Sequence, residues 1–68
     1  MNNHIRARRT ARGWTQAELG DLVGVSRQTI NAIEAGRHDP SLTLAFGLAE
    51  VLEERIEELF QPDREAVA

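Results

Sequence analysis

A short polar face near the middle of the chain carries the side chains with the most distinctive chemistry. Its members are spaced i, i+1, i+4 and i+5, which places them on one side of a helix. The face is led by an Arg and a Gln, the side chains that hydrogen-bond the edges of guanine and adenine in the major groove of DNA. The face therefore predicts direct contact with base edges. It consists of Arg27, Gln28, Asn31 and Ala32.

Glycines and capping residues divide the chain into helices. Gly13, Gly24 and Gly36 each follow a run with helical apolar spacing, as glycines beyond a helix C-terminus do. Thr15 and Ser26 each come soon after one of these glycines, at positions typical of N-caps. In addition, Thr15 and Glu18 have the spacing of a capping box, in which each side chain accepts a hydrogen bond from the other's backbone N–H.

This punctuation predicts an all-α fold, a compact bundle of four to five helices. No segment alternates between apolar and polar residues over the length of a strand, so we expect no sheet. Residues 1–60 form one domain, and residues 61–68 form a short C-terminal tail that frays or pairs with a second subunit. The predicted helices span about 3–12, 16–23, 27–35, 42–53 and 55–60.

The connection between the second and third helices is only three residues long. Gly24-Val25-Ser26 is typical of two helices that cross at a steep angle, a helix-turn-helix unit over residues 15–36. Apolar residues are spaced to meet inside the crossing, which leaves the polar face of the third helix outside. These inner residues are Leu19, Val23, Val25, Ile30 and Ile33.

Charge is distributed unevenly although the net charge is only −3. Residues 1–38 carry six Arg and three acids, a balance of +3, whereas residues 39–68 carry two Arg and eight acids, a balance of −6. A basic half favours a nucleic-acid partner, and Arg suits contacts to phosphate and guanine. The acidic residues of the second half lack any nearby nucleophile, so we interpret them as a solvated surface.

Several function classes are excluded by what the sequence lacks. It has no Cys, and His4 and His38 are far apart, so we expect no metal and no cofactor. No set of nucleophile, base and orienting residue suggests an enzyme. Since no run approaches about 18 apolar residues, we expect no membrane span and a cytoplasmic protein.

The sequence resembles the Cro/repressor-type helix-turn-helix family, also called the xenobiotic-response-element family. The likeness runs from about residue 3 to residue 60 and implies a lambda-repressor-like fold and binding to double-stranded DNA. Its motifs agree in order and spacing: Ile5-Arg6-x-x-Arg9, Gly13-Trp14-Thr15-Gln16-Ala17-Glu18-Leu19, Gly24-Val25-Ser26-Arg27-Gln28-Thr29-Ile30, Ile33-Glu34-Ala35-Gly36-Arg37 and Pro40-Ser41-Leu42.

The resemblance implies roles for single residues. Arg27 and Gln28 occupy the first turn of the recognition helix, where family members touch bases. Ala32 matches a second base-facing position, where its methyl group could contact thymine, and Asn31 lies nearby and contacts a base or the backbone. Arg9 and Glu34 match a structural ion pair that links the first and third helices. Contacts to the DNA backbone are implied for Gln16, Ser26, Thr29 and Arg37.

Two departures from the family pattern concern the backbone. Gly20 stands where the family usually has Ala, which permits a very close approach of the third helix. Glu53-Glu54-Arg55 replaces the usual glycine turn and Ser or Thr cap before the last helix. We therefore expect the fourth and fifth helices to run closer to continuous.

Apolar residues of the fourth helix cover an arc of roughly 220° at about 100° per residue, more than one core needs. In this family the segment after the recognition helix commonly forms a two-fold interface, so we expect a homodimer. Its two recognition helices would read a near-palindromic operator, with repression as the outcome. The expected interface comprises Leu44, Leu48, Val51, Ile56, Leu59 and Phe60.

Two other functions stay open. One is an antitoxin that neutralises a toxin partner and regulates its own gene through the same domain. The other is a protein–protein adaptor that kept the fold and lost DNA binding.

Overall fold

Within residues 1–62, five helices follow one another, in agreement with the predicted four to five. The computed structural model describes residues 1–62; the expectation of a frayed tail over 63–68 lies outside the described residues. The all-α prediction is confirmed, with each helix within a few residues of its predicted bounds. The helices are α1 (Ile5–Ala11), α2 (Gln16–Val23), α3 (Arg27–Glu34), α4 (Leu42–Leu52) and α5 (Ile56–Leu59).

Side-chain hydroxyls begin the three longer helices. The Thr15 hydroxyl accepts from the Glu18 N–H while the Glu18 carboxylate accepts from the Thr15 N–H, so the predicted capping box is present. Ser26 caps α3 and Ser41 caps α4 in the same way, each accepting an N–H three residues on. Each cap satisfies a backbone donor that the helix itself leaves free.

A short antiparallel pairing joins the two ends of the described chain. β1 (Asn2–Asn3) pairs with β2 (Phe60–Gln61), and the His4 N–H donates to the Leu59 carbonyl. The expectation of no sheet is wrong here, because two residues are too few to show alternation. Gln61 therefore belongs to the folded unit and not to the tail.

The core lies where all five helices meet. Leu19, Ile30 and Ile33 are buried in it, as predicted for the inside of the α2–α3 crossing, and Val23 and Val25 pack against it half-buried. Burying each large aliphatic side chain contributes about 1.5–3 kcal/mol. The fully buried large side chains are Ile5, Leu19, Ile30, Ile33, Leu48, Leu52 and Leu59.

This core includes three residues that were expected at a dimer interface. Leu48 and Leu59 are completely buried and Phe60 is 7% exposed within the single chain. The expectation that Leu48 and Leu59 contact a second subunit is wrong, because both inward faces of α4 and α5 are needed to close a thin core. Among residues 1–62, the large apolar side chains left exposed are instead Leu22, Leu42 and Phe46.

Gly20 lies where α2 meets the turn that leads into α3. A Cβ added at this position would stand 2.5 Å from the carbonyl oxygen of Val25, far inside normal contact distance. The missing side chain lets the turn pack directly on α2, so the close approach predicted from this departure is confirmed.

Helices α4 and α5 are separate, and the expectation that they run nearly continuous is wrong. Glu53 ends α4 in the left-handed conformation, with φ 54° and ψ 43°, where glycine is usual. Arg12 steadies this end, because one guanidinium nitrogen donates to the Leu52 carbonyl and to the Glu53 carboxylate, both at 2.9 Å. The sequence pattern did not reveal this helix end, because the residue in the left-handed conformation is a glutamate and not a glycine.

Replacing Glu53 tests this backbone strain. Glu53→Gly and Glu53→Ala both remove the carboxylate, but only glycine relieves a left-handed strain of about 1–2 kcal/mol. Glycine also costs about 0.4–1 kcal/mol through the unfolded chain, so Glu53→Gly should remain the more stable variant. Urea unfolding followed by circular dichroism measures the difference; greater stability of Glu53→Ala would contradict it.

Candidate nucleic-acid interface

The polar side of α3 is exposed because its other side is bound into the core. Ile30 and Ile33 are buried, while Arg27, Gln28 and Asn31 face solvent. Arg27 and Gln28 form no side-chain hydrogen bond or ion pair to any residue within 1–62. Their donor and acceptor groups are therefore free for another molecule.

The first turn of α2, the exposed side of α3 and the segment after α3 enclose a shallow depression of about 360 Å³. The structure thus brings together five of the eight residues that the sequence predicts to contact DNA. We call this surface the α2–α3 depression. Its lining residues are Gln16, Arg27, Gln28, Asn31 and Arg37.

A buried ion pair lies directly behind the depression. Arg9 Nε donates to Glu34 Oε2 at 2.6 Å and Arg9 Nη2 donates to Glu34 Oε1 at 3.1 Å, so the contact is bidentate. The remaining Arg9 nitrogen, Nη1, donates to the Trp14 carbonyl at 2.8 Å. The predicted link between the first and third helices is present, and it also fixes the segment before α2.

The ion pair extends to the depression through Gln16. Its side-chain Nε2 donates to Glu34 Oε1 at 3.1 Å, which holds the amide at the N-terminal end of α2. Asn31 Nδ2 lies 3.5 Å from Gln16 Oε1, and Arg37 Nη2 donates to Asn31 Oδ1 at 2.9 Å. A continuous series of polar contacts therefore runs from the core to Arg37.

The ionisation of Glu34 reflects these contacts. Its side chain is 1% exposed, and burial, the largest influence, raises its pKa. Hydrogen bonds from Arg9 and Gln16, with the positive charges of Arg9 and Arg6, together outweigh burial, so the pKa of Glu34 lies below its usual value. The hydrogen bonds to Glu34 likewise raise the pKa of Arg9. Both groups are charged at neutral pH.

The remaining three predicted contact residues lie beside the depression. Ser26 is exposed at the N-terminus of α3, and its hydroxyl is 3.1 Å from the Thr29 hydroxyl. Thr29 and Ala32 are half-buried on α3. The first two therefore stabilise the start of the helix, and contact of all three with DNA stays a prediction.

Sequence reasoning missed two features of this region. Arg6 Nε lies 3.6 Å from Glu34 Oε1, which gives the carboxylate a second cation. The hydrogen bond from Gln16 to Glu34 was also not foreseen. Its signal is indirect: a Gln at the first position of α2 faces the last turn of α3 when the two helices cross.

Residues 5–59 match the helix-turn-helix family model HTH_3. The chain belongs to this family. The family is a DNA-binding class of transcription regulators and not a class of enzymes. The predicted resemblance is thereby confirmed, and the matched range includes all five helices.

Relatives and solved structures agree with this membership. An uncharacterized HTH-type transcriptional regulator of Archaeoglobus fulgidus is 48% identical over 65 residues, 96% of this chain and 93% of the relative. The P22 c2 repressor protein, solved in complex with a synthetic operator, is similar with a TM-score of 0.82 and 33% identity, over 88% of this chain and 91% of that chain.

A restriction-modification controller protein, C.AhdI from Aeromonas hydrophila, is similar with a TM-score of 0.76 and 35% identity. The alignment covers 84% of this chain and 86% of that chain. Both solved structures are lambda-repressor-like helix-turn-helix proteins, which confirms the predicted fold class.

Among residues 1–62, no helix is long and apolar enough to cross a membrane. Within the same range, no group of three or more His, Cys, Asp or Glu is placed to hold a metal ion.

Acid should destabilise the fold through Glu34. Since its pKa is lower in the folded protein, its contribution is complete above the unfolded-state pKa of about 4.3 and is lost as pH falls through the folded-state pKa. We expect Glu34→Gln to melt at a lower temperature than wild type at pH 7 and to lose less on going from pH 5 to pH 3.

Thermal melts followed by circular dichroism at pH 7, 5, 4 and 3 measure this difference. Glu50→Gln is the matched control, because this exposed carboxylate makes no ion pair to residues 1–62. An equal loss of melting temperature for wild type and Glu34→Gln between pH 5 and pH 3 would contradict the role of the buried pair.

Proposed function

We propose that this chain is a transcriptional repressor that binds a near-palindromic operator as a homodimer. The observation that carries the proposal is the α2–α3 depression, where free base-reading groups and a cation converge on one face. The P22 c2 repressor protein, described as bound to an operator, shares the fold at 33% identity and supports the same role. The site of action is the cytoplasm.

Direct sequence recognition is assigned to Arg27 and Gln28. Both project from the first turn of α3 and have unpaired polar groups within 1–62, so binding a base edge breaks no internal hydrogen bond. Arg favours guanine and Gln favours adenine at the major-groove edge. Ala32 offers a methyl group for thymine, and Asn31 completes the predicted base-facing set.

Contacts to the DNA backbone are assigned to Gln16, Ser26, Thr29 and Arg37. The first N–H groups of α2 point out of the helix N-terminus, where phosphate binds favourably. The Arg37 guanidinium stands at the opposite end of the depression and supplies a positive charge. Contacts at both ends of the recognition helix would fix its register in the groove.

A second copy of the chain is the proposed partner for the exposed apolar surface of α4. Leu42 and Phe46, one helical turn apart, are 69% and 55% exposed. Leu42 also borders an apolar groove of about 440 Å³ between α4 and α5, lined in addition by Met1, Pro40, Ala45, Ile56, Glu57, Phe60 and Pro62. A projecting residue and a groove on one surface suit a self-complementary two-fold contact.

Only part of the expected interface fits this surface. Ile56 and Phe60 line the α4–α5 groove. Leu44 and Val51 instead lie on another side of α4, in a second groove that Leu22 also lines. The two sides are distinguishable by mutation. A dimer that reads two half-sites must place its two α3 helices about 34 Å apart, one turn of B-DNA.

Selection from a pool of random DNA duplexes tests the proposed function. We expect enrichment of two related half-sites with centres about 10 base pairs apart. A promoter that carries this site should be repressed in a reporter assay. Failure to enrich any sequence would favour the adaptor function, and co-purification with a second small protein would favour the antitoxin function.

Arg27→Ala and Gln16→Ala should weaken binding in different ways. Arg27→Ala removes a base contact, so affinity should fall by about 1–3 kcal/mol and one base position should become less specific. Gln16→Ala removes a backbone contact and should weaken binding about evenly across sequences. Binding profiles of both variants measure this; an unchanged profile for Arg27→Ala would contradict its assignment.

Phe46→Glu should convert the dimer to a monomer, because the new charge would be buried at the interface. Leu22→Glu is the matched control, since Leu22 is 53% exposed on the other side of α4. Sedimentation at micromolar concentration measures the change. Dissociation by Leu22→Glu alone would move the interface to the second groove, and a monomeric wild type with and without DNA would contradict the dimer.

A further inference from the structure

Asn31 lies on the exposed side of α3, yet both ends of its side-chain amide already have partners. Its Oδ1 accepts from Arg37 Nη2 at 2.9 Å, and its Nδ2 is 3.5 Å from Gln16 Oε1. Arg27 and Gln28, on the same side of the helix, have no such partners among residues 1–62. The side-chain amide of Asn31 is therefore engaged in internal contacts, whereas the polar groups of Arg27 and Gln28 are not.

We propose that Asn31 is a positioning residue that holds Arg37 and Gln16 ready for DNA phosphates and does not read a base. The inference rests on the proposed function of the depression. The position of Asn31 on α3 alone predicts a base contact, and the proposal gives it a different role. The reason is that Oδ1 and Nδ2 of Asn31 already contact Arg37 and Gln16.

A base contact by Asn31 would compete with both existing contacts. Asn recognises adenine in a bidentate manner, with one donor and one acceptor. Asn31 has one carboxamide, and its Oδ1 and Nδ2 are the atoms that face Arg37 and Gln16. Each atom can make one further hydrogen bond, but aligning the plane of the amide with an adenine edge would disturb its present contacts with Arg37 and Gln16.

The two partners depend on Asn31 to different degrees. Gln16 has a second and shorter hydrogen bond, from its Nε2 to the buried carboxylate of Glu34 at 3.1 Å. The Arg37 side chain has no hydrogen bond within residues 1–62 other than the one to Asn31; only its backbone N–H is fixed further, by the Ala32 carbonyl. Loss of Asn31 should therefore affect Arg37 most.

A double-mutant cycle between Asn31 and Arg37 tests the proposal. Wild type, Asn31→Ala, Arg37→Ala and the double variant are titrated, over a range of salt concentrations, against a random-sequence duplex and a duplex selected by wild type. We expect Asn31→Ala to weaken binding to both duplexes about two- to tenfold, the value of one hydrogen bond. Arg37→Ala should lower the salt slope by about one, and adding Asn31→Ala to it should cause little further loss.

Gln28→Ala is the control for base reading, because it is exposed on the same helix side and should relax one base position of the selected duplex. Circular dichroism confirms that each variant is folded at the binding temperature. Three results would each overturn the positioning role. Asn31→Ala could relax specificity at one base position, or it could leave affinity unchanged. It could also weaken binding as much in the Arg37→Ala background as in wild type. If wild type binds neither duplex, the proposed function fails first, and the positioning role fails with it.

Discussion

The structure depends on one buried ion pair, between Arg9 of α1 and Glu34 at the end of α3. The Glu34 side chain is 1% exposed, and three hydrogen bonds and two cations compensate for the burial of its charge. The same contacts connect α1, the segment before α2 and the end of α3. Removing one partner of such a pair costs about 3–5 kcal/mol, a large fraction of the stability of a small domain. These buried contacts thus fix the position of α3 relative to α2. The exposed face of α3 takes no part in them.

The chain separates its functions between its two halves. The first half is basic, buries the apolar inside of the α2–α3 crossing and exposes polar groups that suit DNA. The second half is acidic and exposes apolar surface on α4 that suits a second copy. In the proposed complex this separation would keep the acidic half away from DNA phosphates and would cover the exposed apolar surface of α4. The left-handed Glu53 sets the angle between α4 and α5 and so shapes the groove that the partner would contact.

Helix bounds, the α2–α3 crossing and the Arg9–Glu34 pair were all predictable from sequence, because caps, glycines and family motifs are local signals. Three features were not. Pairing of Asn2–Asn3 with Phe60–Gln61 joins residues that are distant in sequence and too few to form a pattern. The helix break at Glu53 uses a residue that rarely adopts that conformation. Apolar periodicity shows how much of α4 is apolar but not which side faces the core, so Leu48 was misplaced and Phe46 was overlooked.

The central claim is that the α2–α3 depression is the surface that meets DNA. Its most direct test is an NMR titration of the isotopically labelled protein with a short DNA duplex, following every backbone amide. The expected result is that the largest shifts fall in the first turn of α2, along α3 and at Arg37, with small changes in α5. Shifts concentrated on α4 and α5, with α3 unchanged, would contradict the claim.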